Sequence, residues 1–118
     1  MTAFGAIRTA LAYLGVPCVP GTYEGDELTY ITYNYALIRG ADFGDSTPAC
    51  DIADVQVHYF TPCRDPATHK QVNYNAVRKE IRDALFSADF TYPEVEVMEE
   101  RDKATASWHL VFECQYEE

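Results

Sequence analysis

The chain has 118 residues, 47% hydrophobic, 14% aromatic and 24% charged, with a formal net charge of −10. That length makes one domain, residues 1–118, with a core of its own, and no apolar run approaches the roughly 18 residues of a membrane-spanning helix. So large an acidic excess is repelled by phosphate backbones, which disfavours tight nucleic-acid binding.

The charge is segregated. The first 20 residues hold no acid and one base, Arg8. Arg64, Lys70, Arg78, Lys79 and Arg82 face only Asp65 and Glu80 in the middle of the chain, whereas residues 89–118 carry nine acids against Arg101 and Lys103. Such a division either keeps the surface soluble or lets a basic region of one copy meet an acidic region of another. The N-terminal stretch is interrupted by Thr2, Gly5 and Thr9 and lacks the basic-then-apolar pattern of a secretory signal. The expectation is a soluble cytoplasmic protein.

Phe4, Ile7, Leu11 and Leu14 form one helical stripe, with Thr2 positioned to cap its start and Gly15 and Pro17 to end it. Residues 16–27 read as a connector punctuated by Pro17, Pro20, Gly21 and Gly25. A strand follows over residues 28–38. Alternation places Ile31, Tyr33, Tyr35 and Leu37 toward the helices, with Tyr30, Thr32, Asn34 and Ala36 on the other face. Residues 39–48 read as a turn, in which 41–45 are either a short return strand or loop. In the strand 54–60, Val55, Val57 and Tyr59 point one way and Gln56, His58 and Phe60 the other.

A polar loop over residues 61–71 leads to a second helix, whose stripe is Val77, Ile81, Ala84, Leu85 and Ala88, with Asn73 or Asn75 as N-cap. Arg78, Lys79 and Arg82 occupy its outer side. The chain closes with an antiparallel pair, residues 92–99 and 107–116, joined by a charged, exposed turn over 99–103. In the last strand Trp108, Leu110, Phe112, Cys114 and Tyr116 share the core face, opposite His109, Val111, Glu113 and Gln115. The predicted fold is α+β: one mainly antiparallel sheet with two helices packed on it, in the order helix, strands, helix, strand pair.

No catalytic constellation stands out. His58 and His109 sit on the face away from the apolar stripe, and a catalytic role would need an oriented partner. Cys63 with His58 or His69 has no flanking nucleophile motif. Cys50, His58, Cys63 and His69 leave a zinc site conceivable, although none of the four cysteines, Cys18 and Cys114 included, falls at a recognised metal spacing. Glu94 and Glu96 share a strand face within a crowd of carboxylates. Gly40 and Gly44 lie beside Asp42 and Asp45, which would repel a phosphate. Tyr33, Tyr35 and Tyr59 alternate with core residues, while Tyr30, Tyr92 and Tyr116 are candidates for a contact surface. Catalytic, cofactor and metal residues are therefore expected to be absent.

The ordered set "YITYNYALI", "GADFGDSTP", "ADVQVHYF", "IRDALFSADFTYP" and "WHLVFECQYEE" resembles the small tail-completion or tail-terminator proteins of long-tailed bacteriophages, in the version found in prophages of low-GC Gram-positive bacteria. The resemblance runs from residue 6 to residue 118. One departure is Asp89, within 88–92, where glycine is common. The resemblance implies an α+β subunit, not an enzyme and without a cofactor. Such a subunit assembles into a ring, typically of six, on the head-proximal end of the tail tube, stops tube polymerisation and receives the head. Its implied partners are its own copies, the tail tube protein and a head-completion protein, first in the host cytoplasm and then in the virion tail. Alternatives are another head–tail connector component, a small zinc-binding or enzymatic domain, and an adaptor that recognises peptides by strand addition. The charged residues expected at partner interfaces are Arg39, Asp42, Asp45, Arg64, Lys70, Arg78, Lys79, Arg82, Glu99, Glu100 and Arg101. Loops 39–52 and 61–71, with the turn 99–103, are expected to order on contact with partners.

Overall fold

A computed structural model describes residues 1–44, 47–102 and 105–118, with side chains described outside 42–49 and 102–105. Helix α1 (Ala3–Leu11) begins where the sequence indicates, with Thr2 Oγ1 accepting from the Gly5 amide at 3.1 Å. A single 3-10 turn, Ala12–Leu14, extends it. Gly15 then terminates the run at φ 69°, a left-handed conformation that a side chain would oppose.

The connector holds an unforeseen strand, β1 (Cys18–Pro20). It is followed by β2 (Tyr30–Gly44), β3 (Thr47–Pro62), helix α2 (Asn75–Ser87), β4 (Glu94–Asp102) and β5 (Thr105–Glu117). The five strands form one sheet in the order β1-β2-β3-β5-β4. The pair β1–β2 is parallel and the other neighbours are antiparallel, so the sheet is mixed. A three-residue edge strand leaves almost no periodicity to read, and Pro20 at its end is tolerated because an edge strand needs few ladder donors. Among the described residues, no helix is long and apolar enough to cross a membrane.

Both helices pack on one face of the sheet. Ala3, Ala6, Ile7 and Leu11 of α1 and Ile81 and Leu85 of α2 join Ile31, Tyr33, Val55, Val57, Leu110, Phe112 and Cys114 in one buried cluster. The stripes read from the sequence are thus the core faces, because both helical and strand periodicities converge on the same layer. The expected cap of α2 is displaced. Tyr74 occupies the N-cap position without a side-chain bond, and Asn73 Oδ1 instead accepts from the Asn75 amide at 3.0 Å.

The segment read as a turn after residue 38 is strand. β2 runs on to Gly44 and β3 starts at Thr47, in register from Ile38 opposite Ala53 to Gly44 opposite Thr47. Cross-strand pairing overrides the weak strand preference of Gly40 and Asp42. β5 accompanies β3 only to about Ile52, opposite Glu117, and β1 accompanies β2 only to Tyr33. Beyond these points β2 and β3 continue as a two-stranded arm, and the molecule measures 60 × 26 × 22 Å.

A β-bulge between Tyr35 and Leu37 shifts the phase of β2 as it enters the arm. Tyr35 opposes Val55 on the helix-covered side, whereas Leu37 opposes Asp54 on the other. Leu37 therefore does not line up with Ile31 and Tyr33 as strict alternation predicts. It is 54% exposed, and Ile38, on the opposite side, is 50% exposed.

Candidate interaction surfaces

Most of the charged residues singled out from the sequence lie at the two ends of β3 or on α2. At the arm end, Arg39 Nη1 pairs with Asp54 Oδ2 at 3.1 Å across the strands. The backbone of Asp42 belongs to the arm; its side chain, and Asp45 altogether, lie outside the described residues.

At the other end, the Cys63 amide donates to the Ala106 carbonyl at 2.9 Å, fastening the loop after β3 to the β4–β5 hairpin. Arg64 Nη1 donates to the His69 carbonyl at 3.1 Å, closing a small loop in which Lys70 is exposed. Arg101 pairs with Glu99 at 3.0 Å on the hairpin. Burial pushes the Cys63 thiol pKa up and Glu99 pushes it further, while Arg101 and Arg64 oppose the shift, so these charges surround one thiol. Arg64, Glu99 and Arg101 are brought together; Arg39 and Asp42 are at the opposite pole.

The α2 bases form a third group. Lys79 is exposed, Arg78 Nε donates to Asn75 Oδ1 at 3.3 Å, and Arg82 pairs with Asp83 at 3.1 Å. Arg82 also lies over the Tyr92 ring, 5.3 Å from its centroid, and Phe86 meets Tyr92 edge-on. Phe86 and Tyr92 are both more than half exposed, so this corner is an aromatic patch with a cation on it. Tyr116 instead packs on Phe90 against the core.

The face without helices carries a polar seam. His58 Nδ1 lies 2.8 Å from His109 Nε2, His58 Nε2 lies 2.8 Å from Asn34 Oδ1, and His109 Nδ1 lies 2.7 Å from Glu100 Oε1. Asn34 Nδ2 donates to Gln56 Oε1 at 3.2 Å, and Gln56 Nε2 to Glu113 Oε1 at 3.0 Å. The seam crosses four strands, from Glu100 on β4 to Asn34 on β2. Phe60 stacks on His109 with centroids 4.2 Å apart, Tyr30 stacks on Phe60, and Tyr23 leans on Tyr30. Burial lowers the His58 pKa, and the neighbouring His109 lowers it further.

Sequence reading places both histidines on this face but not in contact. His58 pairs directly with Val111, and His109 is its diagonal neighbour, a relation fixed only by the β3–β5 register. Glu100 appears in the sequence reading as an interface acid; in the fold it holds His109. Asn34, Gln56 and Glu113 carry no signal of their own.

The residues weighed as zinc ligands are not brought together. Cys50 pairs with Ala41 in the arm, and Cys63 follows the far end of β3, roughly 40 Å away at strand rise. His58 has both ring nitrogens engaged within the seam. Among the described residues, no group of three or more His, Cys, Asp or Glu is placed to hold a metal ion.

No family model and no curated protein matches the chain. Among solved structures, a chain described as "Virion of native gene transfer agent (GTA) particle" is similar at 17% identity and a TM-score of 0.48, over 98% of this chain and 95% of that one.

Proposed function

We propose that this protein is a structural subunit of a phage-like tail that caps the head-proximal end of the tail tube, stops its growth and contributes to the joint with the head. The observation that supports this reading is the bipolar build. An arm with apolar side chains on both faces projects from one end, while Arg64, Glu99 and Arg101 cluster at the other. A subunit with unlike ends suits head-to-tail contacts that close into a ring. The sequence resemblance to tail-terminator proteins points the same way and gives six as the expected ring size. In this role the arm reaches a neighbouring copy, and the opposite pole meets the tube or the head. The expected ordering of loop 39–52 on contact does not enter the proposal, because most of that segment is paired strand.

Electron microscopy of particles assembled without this protein tests the reading. Overlong tails lacking heads are expected. Normal virions would remove it.

A further inference from the structure

We infer that His58 and His109 hold one extra proton between them, trapped by the two carboxylates that end the polar seam, and that this proton fastens β4 to the centre of the sheet.

The argument is a count of hydrogens. A carboxylate at neutral pH only accepts, so Glu113 fixes Gln56 with its amide nitrogen outward and its oxygen toward Asn34. Asn34 must then donate through Nδ2, and that nitrogen also lies 3.3 Å from the Tyr35 carbonyl, which can only accept. Asn34 Oδ1 therefore faces His58, whose Nε2 must carry a hydrogen. At the other end the Glu100 carboxylate requires a hydrogen on His109 Nδ1.

Two neutral imidazoles would satisfy both ends and leave lone pair against lone pair between His58 Nδ1 and His109 Nε2, at 2.8 Å. That contact is repulsive. A third hydrogen between the rings turns it into a charge-assisted bond. The Glu100 carboxylate lies 2.7 Å from His109 Nδ1, whereas His58 faces the neutral Asn34 amide, so the third hydrogen belongs on His109. The surroundings agree. Glu100 and Glu96 of β4 and Glu113 of β5 lie on this face, and Tyr30 of β2 and Tyr23 of the preceding loop contribute phenols. Burial and Glu100 both oppose ionisation of Tyr30. Glu100 is about half exposed, so loss of the proton frees it to swing into solvent and releases the outer end of β4.

Nitrogen-15 NMR of the imidazole rings at neutral pH reads the count directly. Three ring N–H groups and one bare nitrogen, His58 Nδ1, are expected. In Glu100→Gln the new amide donates to His109 Nδ1, so two N–H groups suffice, one per ring. Amide exchange in β4, corrected for intrinsic rates, should lose about tenfold protection from about pH 6 to about pH 9 in the parent protein, and not in Glu100→Gln. One N–H per ring in the parent overturns the inference. So does a third N–H persisting in Glu100→Gln, or β4 protection with the same pH dependence in both proteins.

Discussion

The amide of Phe90 donates to the Leu85 carbonyl at 3.2 Å, bending the chain back over the end of α2. The bend is possible because Asp89, between them in the turn, holds φ at 72°. This is the left-handed helix stop in which glycine is preferred, and the phenylalanine after it is 2% exposed. The sequence resemblance marks residue 89 as a common glycine position, and the backbone gives the reason. Asp89→Gly is expected to stabilise the protein by about 0.5–1 kcal/mol. Thermal unfolding should show a rise of ~2–5 °C; a fall would mean that the Asp89 side chain contributes more than its strain costs.

Glu118 is the next test. One of its carboxylate oxygens accepts from the Ala3 amide at 2.7 Å and from Tyr35 Oη at 2.8 Å, so it ties the start of α1 to β2. A negative group at a helix N-terminus also complements the helix dipole. Glu118→Ala should cost about 1–2 kcal/mol in urea unfolding. Tyr35→Phe, which removes one of the two bonds and leaves the ring stacked on Phe4, should cost less than Glu118→Ala.

Stability should decline in alkali. Burial pushes the Cys114 thiol up to about 12 and the Cys18 thiol up to about 11, each from an ordinary 9.0. Burial and then the bond to Glu118 push Tyr35 up to about 12, from 10.0. Each group has a folded pKa above its unfolded one. Its contribution is therefore fully present below the unfolded value and disappears as pH rises through the folded value. Under reducing conditions, melting temperature should fall progressively from about pH 9 upward. Cys114→Val should flatten that fall, and an unchanged slope would exclude the thiol as a source.

Core and arm should respond in opposite ways. Phe112 is fully buried at the centre of the cluster, so Phe112→Ala should lose about 3–5 kcal/mol, measured by denaturant unfolding. The pair Leu37→Lys and Ile38→Lys should leave stability within about 0.5 kcal/mol, because both side chains already face solvent. If the arm grips a neighbouring copy, those two variants should nevertheless fail to cap tails. Capping at the parental level would show that the arm is not the contact.

The core was legible because its signals are local and periodic. Ile7 and Leu11, Ile81 and Leu85, and Leu110, Phe112 and Cys114 each repeat at the interval of their element, and each set is buried. What escaped notice depends on partners distant in sequence. Gly40 and Ala41 look like a turn until Asp51 and Cys50 are set opposite them. His58 and His109 are 51 residues apart, and only the strand register makes them neighbours. β1 is too short for any pattern. The bulge near Ala36 leaves every residue type compatible with regular alternation, so nothing in the composition announces it.

That bulge has a further effect. It works as a phase shifter, with one surplus residue at the root of the arm deciding which side chains the distal ribbon shows to each side. Were Ala36 to pair with Asp54 in strict alternation, Leu37 and Ile38 would exchange the sides on which they stand. The body would keep its shape while the ribbon presented an inverted pattern to whatever it touches. A single backbone irregularity thus sets the polarity of the most prominent projection of the molecule.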